Sequence, residues 1–165
     1  RWVMTDGTIV GAKSDMDLLT RIYDNTCKYD KLTAESWVNK EGFASSTPYL
    51  FWCNKYGQRV YIFKGKKGAW QLLKTYKCST GNINYSDNCD QGVGFSWKIY
   101  NKDKAFKTAN GGIQKWNMHY SSPGGNSIHK GSVGKPATHG CIGMAESSVK
   151  WVFDNIPINT RVIVF

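Results

Sequence analysis

Short alternating runs of apolar and polar residues dominate the chain from residue 49 onward. Tyr49–Asn54, 58–64 and 70–78 are rich in aromatic and β-branched residues. The turn segments Lys55-Tyr56-Gly57 and Gly65-Lys66-Lys67-Gly68 separate them. Such runs read as strands, the first two as a hairpin. Residues 79–94 hold many Gly, Asn, Asp and Ser, the chemistry of a loop. Phe95, Trp97 and Ile99 alternate with Ser96, Lys98 and Tyr100, which predicts a half-buried strand over 95–101. A further strand is predicted over 112–119, carrying Ile113, Trp116 and Met118. Near the end the period becomes helical: Val149, Val152, Phe153 and Ile156 share one face of a helix predicted over 145–156. Residues 161–165 then read as a closing buried strand.

Before residue 48 the signals are helical. Ser14 with Asp17 three residues on makes a capping-box-like start, and Leu18, Leu19, Ile22 and Tyr23 follow on one face. A second short helix is predicted over 33–40, stopping before Gly42, and Ser45-Ser46-Thr47-Pro48 reads as a connection. Residues 1–47 are thus expected to be an N-terminal helical flank or the end of a preceding domain. Residues 48–165 are expected to form a mainly β domain with one or two packed helices. A chain of 165 residues is enough for one hydrophobic core.

Composition narrows the partners. Lys+Arg 22 against Asp+Glu 12 gives a net charge of +10, which favours anionic partners. The basic residues are scattered and no nucleic-acid recognition motif accompanies them, so nucleic acid is not the expected partner. No apolar run approaches the ~18 residues of a membrane span, and no signal-peptide pattern is visible. The five cysteines, Cys27, Cys53, Cys78, Cys89 and Cys141, contain no C-x-x-C pair, so a structural zinc site is not expected. Their odd number leaves at least one free thiol.

Cys141 is the candidate for that thiol. It follows His139-Gly140 and immediately precedes the predicted helix. A thiolate needs an imidazolium or a helix N-terminus to lower its pKa from about 8.5, and both are within reach here. Glycine allows close backbone approach to a ligand, and the N–H groups of Gly140 and Cys141 are suited to an acyl oxyanion. His119 and His129 are both upstream candidates for the base. His119 ends a predicted strand, a rigid mounting, whereas His129 follows Gly124-Gly125 in a predicted loop, so the reading favours His119. Trp97, Trp116 and Tyr120 are candidate walls of a substrate groove, although aromatic side chains more usually belong to the core. The residues show no Ser-His-Asp set and no glycosidase-like carboxylate pair in comparable context.

The sequence Thr138-His139-Gly140-Cys141-Ile142, preceded by Ser132-Val133-Gly134-Lys135-Pro136-Ala137, resembles the signature of L,D-transpeptidase (YkuD-type) catalytic domains. Gln58-Arg59-Val60-Tyr61-Ile62-Phe63-Lys64, followed by Cys78-Ser79-Thr80-Gly81, is similar to that family's strand pair leading into Ser-Thr-Gly. The likeness extends from Tyr49 to Phe165. It implies a β-sandwich-like catalytic fold and a cysteine acyltransferase that needs no metal or cofactor. The implied activity is cross-linking of peptidoglycan stem peptides in 3→3 fashion, through a Cys141 thioester with release of D-Ala. It further implies a secreted, monomeric protein at a bacterial cell wall, contributing to cell shape and open to covalent inhibition by carbapenem-type β-lactams. His119 would be the base, His139 and Gly140 would shape the site, and Thr138, Tyr120, Trp116 and Trp97 would contact substrate. An L,D-carboxypeptidase or a catalytically impaired wall-binding module would carry the same motif. The chain departs from the family pattern at Gly143, where arginine is usual, with Lys130 or Lys135 as substitute cations. It also departs at Cys89-Asp90-Gln91-Gly92, which replaces the family's Thr-Pro-x-Gly turn. Because Cys78 and Cys89 bracket the loop after Ser-Thr-Gly, a disulfide between them is an expectation.

Overall fold

The computed structural model describes residues 3–5, 8–10, 31–82, 84, 92–121 and 125–164. The helix expected from Ser14 lies outside the described residues. Two short strands, β1 (Val3–Thr5) and β2 (Thr8–Val10), pair antiparallel. Helix α1 (Lys31–Lys40) follows. Then come β3 (Tyr49–Asn54), β4 (Arg59–Lys64), β5 (Gln71–Ser79), β6 (Gly94–Lys98), β7 (Asn101–Lys107) and β8 (Ile113–His119). After them are β9 (Ser127–Lys130), β10 (Ile142–Met144), α2 (Glu146–Asn155) and β11 (Arg161–Val164). Strands β3 to β11 form one nine-stranded, curled sheet in the order β6-β11-β3-β4-β5-β10-β9-β8-β7. The fold is mainly β, and no helix among the described residues is long and apolar enough to cross a membrane.

Strand β3 explains the layering. Phe51 and Cys53 face one apolar cluster, with Val60, Ile62, Met118, Tyr120, Ile128, Ile142 and Met144. Helix α2 closes that cluster with Val149, Val152 and Ile156, which follow the helical period of the sequence. Leu50 and Trp52 face the opposite way into a second cluster, covered by Ala34, Trp37 and Val38 of α1. A strand buried on both faces shows a continuous apolar run, as Leu50–Cys53 does. Trp37 lies over Trp52 at 4.4 Å between ring centroids. Asn39 of α1 bonds the Trp70 backbone in both directions, at 2.9 and 2.7 Å, so the helical flank is tied to the sheet by polar as well as apolar contacts.

Helix α2 is held at its C-terminal end by Lys102 of β7, whose Nζ donates to the carbonyls of Phe153 and, at 2.8 Å, Ile156. A cation on the last carbonyls of a helix satisfies acceptors that the helix itself leaves open. The face carrying Val149 and Val152 is thereby fixed against the sheet that supports the cysteine segment.

Three strands escape the local pattern. β7 reads Asn-Lys-Asp-Lys-Ala-Phe-Lys, an edge strand guarded by lysines rather than an alternating one. β9 and β10 are four and three residues long, too short to show a period. Cys78 carries a free thiol, which corrects the expected Cys78–Cys89 bridge; Cys89 lies outside the described residues. The Cys78 sulfur instead lies 3.8 Å from that of Cys53, both fully buried.

Candidate active site

The Ser-Thr-Gly stretch at the end of β5 holds the cysteine segment in place. The Thr80 carbonyl accepts the N–H groups of Ala137 and Thr138 at 3.0 and 3.1 Å, and Asn82 N–H donates to the Thr138 carbonyl at 2.8 Å. Gly134 N–H reaches the Cys78 carbonyl at 2.7 Å. Thr80 is itself clamped by Gln58: the Gln58 amide nitrogen donates to Thr80 Oγ1 at 2.6 Å, and Thr80 N–H donates to Gln58 Oε1 at 3.0 Å. The sequence marks Gln58 and Ser79-Thr80-Gly81 only through the family resemblance and does not show that one clamps the other. The Gln58 backbone stands at φ +49°, the left-handed region, which a glutamine occupies at a cost.

Beyond this anchor the chain turns sharply at Thr138-His139-Gly140. Thr138 Oγ1 donates to the Cys141 carbonyl at 2.6 Å and accepts the Gly140 N–H at 3.2 Å. Gly140 has φ +128°, and a Cβ there would meet Asn126 Oδ1 at 2.5 Å, so glycine is required twice over. With the Gly140 N–H given to Thr138, the Cys141 N–H is the main-chain donor suited to an oxyanion.

Strand pairing then brings the histidine. β10 runs parallel to β9, with Ile142 opposite Ile128 and Gly143 opposite His129. Ile128 and Ile142 point into the core, so their neighbours Ser127, His129 and Cys141 share the other face. Cys141 lies beside His129, close enough for the imidazole to act on the ionisation of the thiol, and Ser127 Oγ lies 3.8 Å from the sulfur. His129 Nδ1 donates to the Lys130 carbonyl at 2.8 Å, which leaves Nε2 as the acceptor for a thiol proton.

The electrostatics follow from this geometry. Burial pushes the Cys141 thiol up, but the hydrogen bond and charge of His129, with the backbone and hydroxyl of Ser127, pull it down, and the net is below the ordinary thiol value. Burial pulls His129 down, but the Cys141 hydrogen bond and charge and the Lys130 carbonyl push it up, and the net is above the ordinary imidazole value. A thiol moved down beside an imidazole moved up is the signature of a thiolate–imidazolium pair.

His119, favoured from the sequence as the base, is not brought to Cys141. It sits on β8 opposite Ser127, so all of β9 separates it from β10. Two strand spacings are about 10 Å, beyond hydrogen-bond reach. Its Nε2 lies 3.8 Å from Asp103 Oδ2, and Phe106 packs edge-on against its ring at 4.7 Å. Burial holds it below the ordinary imidazole value, against the pull of Asp103. His129, placed in a loop by the sequence reading, lies on β9 between two strands.

The expected groove residues scatter as well. Tyr120 is buried under the cysteine segment, its hydroxyl 3.5 Å from the Gly140 carbonyl, so it supports the site from below. Trp116 packs edge-on against Phe153 of α2 at 5.5 Å. Trp97 lies on β6, at the far end of the sheet order from the site strands β9 and β10. His139 and Lys135 are exposed. Lys130, a proposed stand-in for the missing arginine, is engaged with Glu146 at 2.6 Å. Gly143 packs against the segment after β9: a Cβ at Gly143 would meet the Ser132 carbonyl at 3.1 Å. A side chain at this position would therefore require the segment after β9 to shift by a few tenths of an ångström. Gln114, Asn117 and Ser127 also gather around His129 and drew no attention in the sequence, because nothing local marks them.

The arrangement can be compared with known proteins. The family model for the L,D-transpeptidase catalytic domain, YkuD, matches residues 48–164. No curated protein sequence matches the chain. Among solved structures, a fused Zn-dependent amidase/peptidase/peptidoglycan-binding domain-containing protein from Clostridium acetobutylicum is 22% identical, with a TM-score of 0.65 over 99% of this chain and 70% of that one. An L,D-transpeptidase from Stackebrandtia nassauensis is 16% identical, with a TM-score of 0.59 over 94% of this chain and 67% of that one. L,D-transpeptidase 3 from Mycobacterium tuberculosis, in complex with a faropenem-derived adduct, is 15% identical, with a TM-score of 0.55 over 71% and 60%. This chain thus spans 60–70% of the length of these structures, and at such identities the likeness is one of fold. The family model covers most of the chain, including both the Ser-Thr-Gly anchor and the cysteine segment it holds, and so the chain belongs to the L,D-transpeptidase catalytic-domain family.

Proposed function

We propose that this protein is a cysteine acyltransferase that cross-links peptidoglycan stem peptides outside the cytoplasm, with Cys141 as nucleophile and His129 as base. The observation that carries this reading is the pairing of the Cys141 thiol with His129, whose other nitrogen is fixed by the Lys130 carbonyl. The proton on Sγ passes to Nε2, and the thiolate attacks the carbonyl of the third stem residue. The Cys141 N–H and the exposed His139 beside it face the oxyanion that forms. Collapse expels D-Ala, whose nitrogen takes the proton back from His129, and a thioester remains on Cys141. The amine of a second stem attacks that thioester, gives its proton to His129 and releases the thiolate. Water in place of the amine would make the product a shortened tripeptide instead.

The net charge of +10 suits a substrate network rich in carboxylates. Carbapenems are proposed to acylate the same sulfur. The test is mass spectrometry of a purified tetrapeptide muropeptide incubated with the protein and with Cys141→Ala. Loss of D-Ala with dimer formation, absent in the variant, is expected. Loss of D-Ala without dimer would reassign the protein as an L,D-carboxypeptidase, and an unchanged muropeptide would refute catalysis on this substrate.

A further inference from the structure

The dyad rests on a polar network that the proposed chemistry has not used. Gln114 of β8 places its amide nitrogen 3.3 Å from His129 Nε2, the nitrogen that must take the thiol proton. The carboxamide is not free to turn. Its Oε1 accepts from Asn117 Nδ2 at 2.5 Å and lies 3.3 Å from Ser127 Oγ, which can donate to it. Asn117 Nδ2 also donates to Ser127 Oγ at 2.9 Å. Ser127 in turn lies 3.8 Å from the Cys141 sulfur, so the network closes on both members of the pair. Gln114 faces the site although its strand carries Trp116 toward α2, because Trp116 stands at φ +56° and breaks the alternation of β8.

We propose that Gln114 is a positioning residue for His129, held by Asn117 and Ser127 so that its amide donates to Nε2 and keeps the imidazole in its neutral, proton-accepting form. The proposal rests on the reading of Cys141 and His129 as the working pair. An N–H donor aimed at a lone pair stabilises the unprotonated ring, and it faces an N–H once that ring is protonated. Gln114 therefore opposes the thiolate–imidazolium form at rest. Its use comes in the second half-reaction. Once the sulfur is a thioester, the thiolate that favoured the imidazolium is gone. The base must then be neutral and aimed when the amine arrives, and Gln114 yields the single Nε2 lone pair as the amine proton is delivered to it. The titratable and charged groups on the surrounding elements are Cys141 and His139 on the cysteine segment, Lys130 with Glu146 at 2.6 Å, Lys115 on β8, and the His119–Asp103 pair. Apart from the Cys141 thiol itself, none of them is placed to donate to Nε2 among the described residues.

The test is the pH dependence of Cys141 alkylation by iodoacetamide, read by intact mass, for the whole chain and for Gln114→Met, Gln114→Ala, Asn117→Ala and the Gln114→Met/Asn117→Ala double variant. Circular dichroism would check folding. Gln114→Met keeps the side-chain volume if Gln114→Ala disturbs packing. The rise in rate should move to lower pH by about half to one unit in each single variant, the worth of one neutral hydrogen bond. The double variant should move no further than Gln114→Met alone, because Asn117 acts only by orienting Gln114. Acylation by a carbapenem should keep its first phase while hydrolysis or aminolysis of the thioester slows. An unmoved midpoint, or one that moves to higher pH, overturns the assignment: the latter would mean that the Gln114 carbonyl faces an imidazolium. A wild-type thiol with an ordinary midpoint would refute the dyad as well, whereas a shifted midpoint in a protein that leaves muropeptides unchanged would refute only the substrate.

Discussion

Replacing His129 with alanine removes the imidazole that pulls the Cys141 thiol down, and the direction of the loss can be worked out. In the wild type that imidazole and Ser127 outweigh burial and hold the thiol below its ordinary value, so its thiolate fraction is raised. A thiol with an ordinary pKa of about 8.5 is only about 3% ionised at pH 7. In the variant, burial acts with the imidazole gone, so ionisation falls to that level or below. The smaller thiolate population and the loss of proton transfer together should slow the reaction by about 10²–10⁴-fold. The assay is the rate of covalent adduct formation with a carbapenem at pH 7, read by intact mass. In the wild type this rate should rise with pH through the lowered Cys141 value and fall again only above the raised His129 value. The variant should lose the low-pH limb. His119→Ala, whose ring faces Asp103 and Phe106, should change the rate by less than about tenfold. If a folded His119→Ala protein is the more impaired of the two, the assignment of the base is wrong.

Gly143→Arg, which installs the residue usual in the family, should lower stability by about 1–3 kcal/mol and leave adduct formation no faster, because a side chain there meets the Ser132 carbonyl; a thermal melt and the same adduct assay decide it. Gln58→Ala leaves two buried groups of Thr80 without partners and should cost about 2–4 kcal/mol in urea unfolding, with slower acylation as the cysteine segment loosens. An unchanged unfolding midpoint would count against the clamp. His119 is held below the ordinary imidazole value by burial, so its stabilising contribution is present above about pH 6.5 and is lost as pH falls through its folded value. His119→Gln should therefore flatten the loss of stability between about pH 7 and pH 5, and an equal slope in both proteins would contradict the argument.

The sequence by itself determined what depends on neighbours along the chain. β3 was legible because its apolar run is continuous, α2 because Val149, Val152 and Ile156 recur at the helical period, and the closing strand because Val162, Ile163 and Val164 are all buried. Cys141 was legible because the Thr-His-Gly turn that presents it is itself local, with Gly140 at a positive φ. The partner of the cysteine was not. His129 belongs to a four-residue strand whose existence rests on pairing with β8 on one side and β10 on the other, and no local period records a pairing of that kind. Read alone, the segment after Gly124-Gly125 looks like a loop, and His119 at the end of a longer strand looks like the better mounting. The register of β8, β9 and β10 reversed that order by setting His129 beside Cys141 and putting a whole strand between Cys141 and His119. The same non-local pairing assembled Gln114, Asn117 and Ser127 around Nε2 and gave Ser-Thr-Gly its work of holding the cysteine segment. The cysteine motif is written in the chain; which imidazole stands beside it is decided by which strands lie side by side.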